Sequence, residues 1–240
     1  IRSFANETID IGNVDLEILV ERTNRKRTIS FQVKNNKLII KTPRSVSKKT
    51  LVDLIRRKQQ WIKKRAILNF EEQNLKNREF IDNDKFYFRG DEYRLSLILG
   101  RKEAVKIEGD LLVVSYVDDK SIGRENIKRL LEDWYLKEST KILKARTEEL
   151  AQQMRVQPCG ITVKNYNSKW GSCTANNKIS YNWRIIMAPD HIIDYLIVHE
   201  LSHIIEANHS KNFWYQVGNY CEDFQKKRKW LRENGHKLVL

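Results

Sequence analysis

Residues His199-Glu200-Leu201-Ser202-His203 form an H-E-x-x-H sequence, and His209 follows six positions later. An α-helix turns once every 3.6 residues, so His199 and His203 would leave one face a single turn apart, with Glu200 beside both. Two imidazoles so placed can each bring a nitrogen to about 2.0–2.1 Å from Zn²⁺, and the neighbouring carboxylate can take a proton from water there. A third ligand, His209, supplied just past the helix would leave one position open, which is the shape of a catalytic site. With five His and eighteen Glu in the chain, composition alone yields about 0.008 occurrences of the pattern, so coincidence is a poor account of it. His191 and His236 stand apart and are expected to be structural.

The elements that must hold these side chains can be read outward from them. Pro189 suits the first position of a helix and Asp190 its first turn, so a helix is expected from Pro189 to about Ala207. Asn208 is then the best residue for a left-handed turn that brings His209 back, and Ser210 can cap the next helix. Asp194 and Glu206 are candidates for orienting an imidazole. Upstream lie Lys169-Trp170-Gly171-Ser172-Cys173, between strands expected at Ile161–Tyr166 and Lys178–Trp183, and Asn182-Trp183-Arg184 at the end of the second. A strand beside the helix could take up an extended peptide by strand addition, Gly171 allowing close approach and Ser172 or Asn182 donating hydrogen bonds. Trp170, Gly171, Ser172, Asn182 and Arg184 are therefore the candidate substrate contacts, and Tyr195, Tyr215 and Arg184 candidate stabilisers of developing charge.

Further upstream, Val14, Leu16, Ile18 and Val20, and again Ile29, Phe31 and Val33, alternate with polar residues in the period-2 manner of half-buried strands, and Asn35-Asn36 reads as a hairpin turn. A β-meander is expected there, followed by one basic helix capped by Ser47 with Leu51, Leu54, Ile55, Trp61, Ile62 and Leu68 at helical spacing. Strand character resumes from Phe86 to Leu99 around Gly90-Asp91, and on either side of Gly109-Asp110. A long amphipathic helix should run from Ser121 to about Met154. The fold class is α+β, with a β-rich domain over 1–120 and a domain carrying the metal helix over 121–240.

Lys and Arg number 45 against 31 acids, a net charge of +14 that favours polyanionic partners. Divided at residue 120, the halves carry +8 and +6, so runs such as Arg56-Arg57-Lys58 and Lys63-Lys64-Arg65 read first as solvated faces. No stretch reaches the roughly 18 apolar residues of a membrane span. Three cysteines without a C-x-x-C pair form neither a disulfide framework nor a four-thiolate zinc site, and a reducing cytoplasm fits them best.

Taken together, Lys169 to Cys173, Asn182 to Arg184, Val198 to His203 and Asn208 to Lys211 with Phe213-Trp214 resemble the YgjP-like metal-dependent hydrolases, zinc metallopeptidases distantly similar to SprT-like and WLM proteases. The spacing is also that of the metzincin proteases, except that Glu206 stands where they have Gly. The resemblance implies a zincin-like domain behind a β-rich one, with His199, His203 and His209 as ligands and Glu200 as general base. The expected function is a zinc-dependent peptidase, one ion per chain, zinc or another divalent metal. Two alternatives remain open at this point: a nucleoside triphosphate phosphoanhydride hydrolase using the same metal, and a nucleic-acid-associated protease or binding module.

Overall fold

A computed structural model describes residues 7–10, 15–117 and 123–240. The chain packs as two compact units, one ending at Asn77 and one running from Arg78 to Leu240.

The first unit begins with β1 (Glu7–Asp10), β2 (Asp15–Thr23), β3 (Ser30–Lys34) and β4 (Lys37–Pro43). Asn35 and Asn36 both take positive φ (49° and 56°), which is what a tight hairpin between β3 and β4 requires and what Asn tolerates best after Gly. The expected meander is not formed: the strand order is β1-β2-β4-β3, and β2 pairs with β4 in parallel. Strand β4 takes the interior position because Leu38 and Ile40 can both be fully buried there, leaving β3 at the edge. Val14 lies outside the described residues.

The expected single helix is two, α1 (Lys48–Arg57) and α2 (Gln59–Lys76), interrupted at Lys58. Ser47 caps α1 by accepting from the Thr50 amide at 3.2 Å. Leu51, Ile55, Ile62 and Ala66 close over Leu16, Ile18, Val33, Leu38 and Ile40.

The second unit repeats that plan. Strands β5 (Lys85–Phe88), β6 (Asp91–Leu99), β7 (Ala104–Glu108) and β8 (Leu111–Tyr116) order as β5-β6-β8-β7, again with an interior parallel pair, and again a helix follows, α3 (Arg124–Met154). Nothing in the residue-by-residue pattern announces this structural repeat. After α3 come β9 (Gly160–Lys164), β10 (Gly171–Cys173) and β11 (Lys178–Asn182), ordered β10-β11-β9, a 3₁₀ segment at Trp183–Met187, and helices α4 (Asp190–Ile205), α5 (Lys211–Tyr220) and α6 (Phe224–Asn234).

The division therefore falls at residue 77 rather than near 120. Phe86, Leu95, Leu112 and Val114 of the second four-stranded sheet share one apolar core with Tyr135 of α3, Trp183 of the 3₁₀ segment and Ile197 of α4, so the sheet cannot be detached from the helices behind it. Tyr135 also donates to the Tyr87 carbonyl at 2.7 Å. The new boundary changes the charge reading: residues 1–77 hold eighteen basic and eight acidic side chains, and residues 78–240 hold 27 and 23, so the units carry +10 and +4.

This core also fixes the start of α4. The β5–β6 turn docks on it through Arg89 N–H donating to the Ile186 carbonyl at 2.7 Å, and the Arg89 guanidinium grips Asp190 at 2.8 and 2.6 Å. Gly90, at φ +91°, sits so close that a Cβ would stand 2.9 Å from Pro189 Cα. Among the described residues, no helix is long and apolar enough to cross a membrane.

Candidate metal centre

Helix α4 buries Ile192, Ile193, Leu196, Ile197, Val198 and Leu201, an apolar load on nearly all sides that holds it rigidly inside the unit. Its one polar stripe presents His199 and His203, with ring centroids 5.1 Å apart and planes at 89°. The helix ends at Ile205, two residues earlier than expected. Glu206 is extended (φ −137°, ψ 108°), and Asn208 is not among the residues of positive φ, so the chain returns without the expected left-handed turn. Ser210 then caps α5 by accepting from the Phe213 amide at 3.3 Å, as expected, and this anchors the segment bearing His209.

The His209 ring lies 5.0 Å from that of His199 and 4.7 Å from that of His203. One nitrogen from each ring lies within 4.8 Å of the others, and Nε2 of His199 and His209 are 3.1 Å apart. Donors about 2.0–2.1 Å from one tetrahedral cation would stand roughly 3.4 Å from each other, so the trio is already gathered at the scale of shared ligation. His203 Nδ1 donates to the Glu206 main-chain carbonyl at 3.3 Å, which leaves its Nε2 lone pair free. Phe213 packs against all three rings, and Trp214 stacks on His209 at 5.7 Å.

Electrostatics reinforce the arrangement. Burial first, then His203, His209 and Arg228, push the His199 imidazole down to about 3, and burial with His203 and Arg228 also lowers His209. Both rings are thus held in the neutral form that can donate a lone pair. Among the described residues, His199 Nδ1 is buried without a hydrogen-bond partner. Glu200 is 4% exposed, and burial pushes its carboxyl up to about 7, with Lys169 pulling the other way. Gly171 of β10 lies against it so tightly that a Cβ would be 2.5 Å from Glu200 Oε1. The imidazoles and Glu200 open into one cavity of about 620 Å³, whose other wall is β10 and the turn after it. The donor chemistry and convergence of the three rings, with His199 and His209 held neutral, fit a divalent metal.

Residues 27–234 match the family described as YgjP-like, metallopeptidase domain. The chain belongs to the YgjP-like family. Membership makes it a metal-dependent peptidase, with peptide or protein as substrate and a divalent metal as cofactor. No curated protein matches it. Among solved structures it is similar to the metallopeptidase zymogen of Pyrococcus abyssi abylysin, at 14% identity and a TM-score of 0.33 over 38% of this chain and 93% of that one. It is also similar to the zymogen of Methanocaldococcus jannaschii jannalysin, at 22% identity and 0.35 over 40% and 97%.

Within this YgjP-like protein the candidate residues separate into two groups. Gly171 and Ser172 line the cavity, and so does Cys173. Trp170, Asn182 and Arg184 do not. Trp170 packs on Gly235, where a Cβ would come 2.9 Å from the indole. The Asn182 amide donates to the Tyr166 carbonyl at 2.9 Å and its oxygen accepts from the Arg184 amide at 3.2 Å, so it shapes the loop leading to β10. Arg184 bonds Asn165 and lies over the Trp183 ring.

Asp194 is held by Arg146 at 2.7 and 2.9 Å instead of by an imidazole, and Glu206 orients His203 through its backbone rather than its carboxylate. Tyr195 is buried with its ring 6.0 Å from His199, its hydroxyl pushed up to about 12 by burial, and Tyr215 is 68% exposed. Sequence reasoning passed over Arg228, whose guanidinium lies 4.7 Å from the Trp214 ring and whose charge is felt by His199 and His209. Its position within a run of four basic residues gave no sign of that.

Proposed function

We propose that the second unit is a zincin-like peptidase in which His199, His203 and His209 hold one Zn²⁺ and Glu200 is the general base. The observation that carries this reading is the gathering of three imidazole nitrogens within 4.8 Å of one another on the wall of the cavity that Glu200 also lines. A bound Zn²⁺ supplies Lewis acidity toward water and toward the oxygen of a scissile carbonyl.

The protein's own groups do the rest. The Glu200 carboxylate accepts a proton from the attacking water and later delivers it to the leaving amine. Burial pushes this carboxyl up to about 7 in the metal-free protein, and a bound cation would draw it back toward the ionised form that accepts the proton. Gly171 keeps the space beside Glu200 clear of any side chain. Strand β10, an edge of its sheet, offers main-chain groups along which an extended substrate can lie.

The test is to purify wild type and Glu200→Gln without chelator. Both should carry about one zinc per chain, and only wild type should cleave peptides. Protein without zinc, or undiminished turnover in Glu200→Gln, would overturn the reading.

One observation favours a nucleic-acid-associated role for the first unit alongside this activity: the +10 charge of residues 1–77, eighteen basic against eight acidic. Phosphate contacts would make DNA or RNA binding fall steeply with salt. Absence of binding at low salt removes that role. No observation favours phosphoanhydride over peptide hydrolysis.

A further inference from the structure

From Leu150 to Pro189 the chain has no acidic residue, while Arg155, Lys164, Lys169, Lys178 and Arg184 are basic. Acids make up 31 of the 240 residues, so a given run of this length would be acid-free by chance only about once in 250 such windows. These residues build the sheet β10-β11-β9, whose strand β10 and following turn form one side of the cavity.

Strand β10 pairs with β11 alone among the described residues, so an extended substrate can add to its other edge. This placement rests on the peptidase reading above. Side chains alternate along a strand. Gly171 faces Glu200, so the side chain of Ser172, a residue that also borders the cavity, leaves the strand on the opposite, outer face, which it shares with its pair Ser180 and with Thr162 of β9, paired in turn with Ser180. A substrate residue lying beside Ser172 sends its side chain to that same outer face, while its neighbours point into the cavity.

The outer face is a row of hydroxyls bordered by ammonium groups. Thr162 and Ser180 hydroxyls are 2.7 Å apart, and the Tyr166 hydroxyl is 3.2 Å from that of Ser172. Lys169 Nζ and Lys164 Nζ lie 4.6 and 5.0 Å from the Tyr166 ring centroid. Two like charges are thereby gathered on one ring, and among the described residues neither lysine forms an ion pair. The surrounding field shows in Tyr166 itself: burial raises its hydroxyl, but hydrogen bonds from Ser172, Ser180 and Lys164, with the charge of Lys169, bring it below the ordinary value.

We propose that Lys164, Lys169, Tyr166 and Ser172 form a subsite for an acidic substrate side chain, so that the enzyme prefers peptides with Asp or Glu close to the scissile bond. The lysines supply the charge, with no acidic side chain on this sheet to compete for it although Lys169 is also felt by Glu200, and the hydroxyls supply donors.

The experiment uses matched peptides carrying Glu, Gln or Lys at each position flanking the cleaved bond. Two readouts are taken at low salt: kcat/KM with the metal-loaded wild type, and affinity for the Glu200→Gln protein by fluorescence anisotropy. At one flanking position Glu should exceed Lys by about tenfold in both, and the margin should shrink as salt screens the charges. In Lys164→Glu/Lys169→Glu the Glu-to-Lys ratio should invert. Because a ratio is read, any change these substitutions impose on Glu200 cancels.

Equal affinity for the Glu and Lys peptides, or a ratio unchanged in the double variant, would overturn the subsite even if cleavage persists. Discrimination in binding without cleavage of any peptide would leave the subsite standing and sink the peptidase reading instead. Tight binding of a nucleoside triphosphate lost in the double variant, without discrimination among peptides, would assign the lysines to phosphate and also overturn the proposal.

Discussion

Substituting Glu200 by Gln should stabilise the metal-free protein, and the gain should depend on pH. Glu200 is 4% exposed and its carboxyl sits at about 7 instead of the ordinary 4.5, chiefly through burial. Each tenfold change in proton affinity corresponds to about 1.4 kcal/mol, so keeping this carboxylate ionised in the fold costs about 3 kcal/mol. Between pH 4.5 and 7 the native state binds more protons at this site than the unfolded chain. Wild-type stability therefore falls as pH rises through that window, and the full penalty applies above it. Gln keeps the shape and carries no charge. His199, pushed down to about 3, works in the opposite sense, losing stability as pH falls from 6.5 toward 3. That contribution is common to both proteins and cancels in their difference.

Thermal or urea unfolding of both proteins in chelator should therefore give similar stabilities at pH 4.5. At pH 8 the Gln variant should be ahead by about 3 kcal/mol, or about 6–12 °C in Tm for a unit of this size. Added divalent metal should shrink the gap, because a cation beside a carboxylate favours its charged form. A gap of equal size at both pH values, or a wild type that is the more stable at pH 8, would refute the burial argument.

Gly171→Ala places a Cβ 2.5 Å from Glu200 Oε1 and should lower stability by about 1–3 kcal/mol and kcat/KM by about 100-fold. Gly160→Ala on the same sheet meets nothing within 4 Å and should be nearly silent in the same unfolding and peptide-cleavage assays. His209→Ala should weaken zinc retention in chelator competition by more than about 100-fold, since residues that merely orient a ligand account for about 10–100-fold; retention equal to wild type would place the third donor elsewhere. Ser210→Ala removes the cap bonded to the Phe213 amide and should cost about 1 kcal/mol in unfolding, with a measurable loss of zinc affinity through the loosened His209 segment.

The shared face of His199 and His203 was legible in the sequence because helical periodicity is local: the two must leave one side wherever a helix forms. The Ser210 cap and the β3–β4 turn were legible for the same reason, each being decided by a few adjacent residues. Trp170, Asn182 and Arg184 look like substrate contacts by residue type and neighbourhood, yet they brace the loop and packing around β10. An amide or guanidinium that satisfies buried backbone and one that greets a ligand are the same letters in a sequence. The boundary at residue 77 was likewise hidden, since alternating strands read identically whether they close their own core or share one with a distant helix.

Local spacing and side-chain chemistry thus determined from sequence which residues could hold a metal, which acid stands beside them, and which family motif they form. Tertiary structure decided the protonation of Glu200, because burial is set by Gly171 and the strand it belongs to, some thirty residues away. It also decided the tautomer of His203 through the Glu206 carbonyl, the parallel pairing inside both four-stranded sheets, and the gathering of two lysines on one tyrosine ring. Each of these depends on which surfaces meet across the fold, and dielectric environment, pairing partners and convergent charge are properties of such meetings rather than of any short stretch of chain.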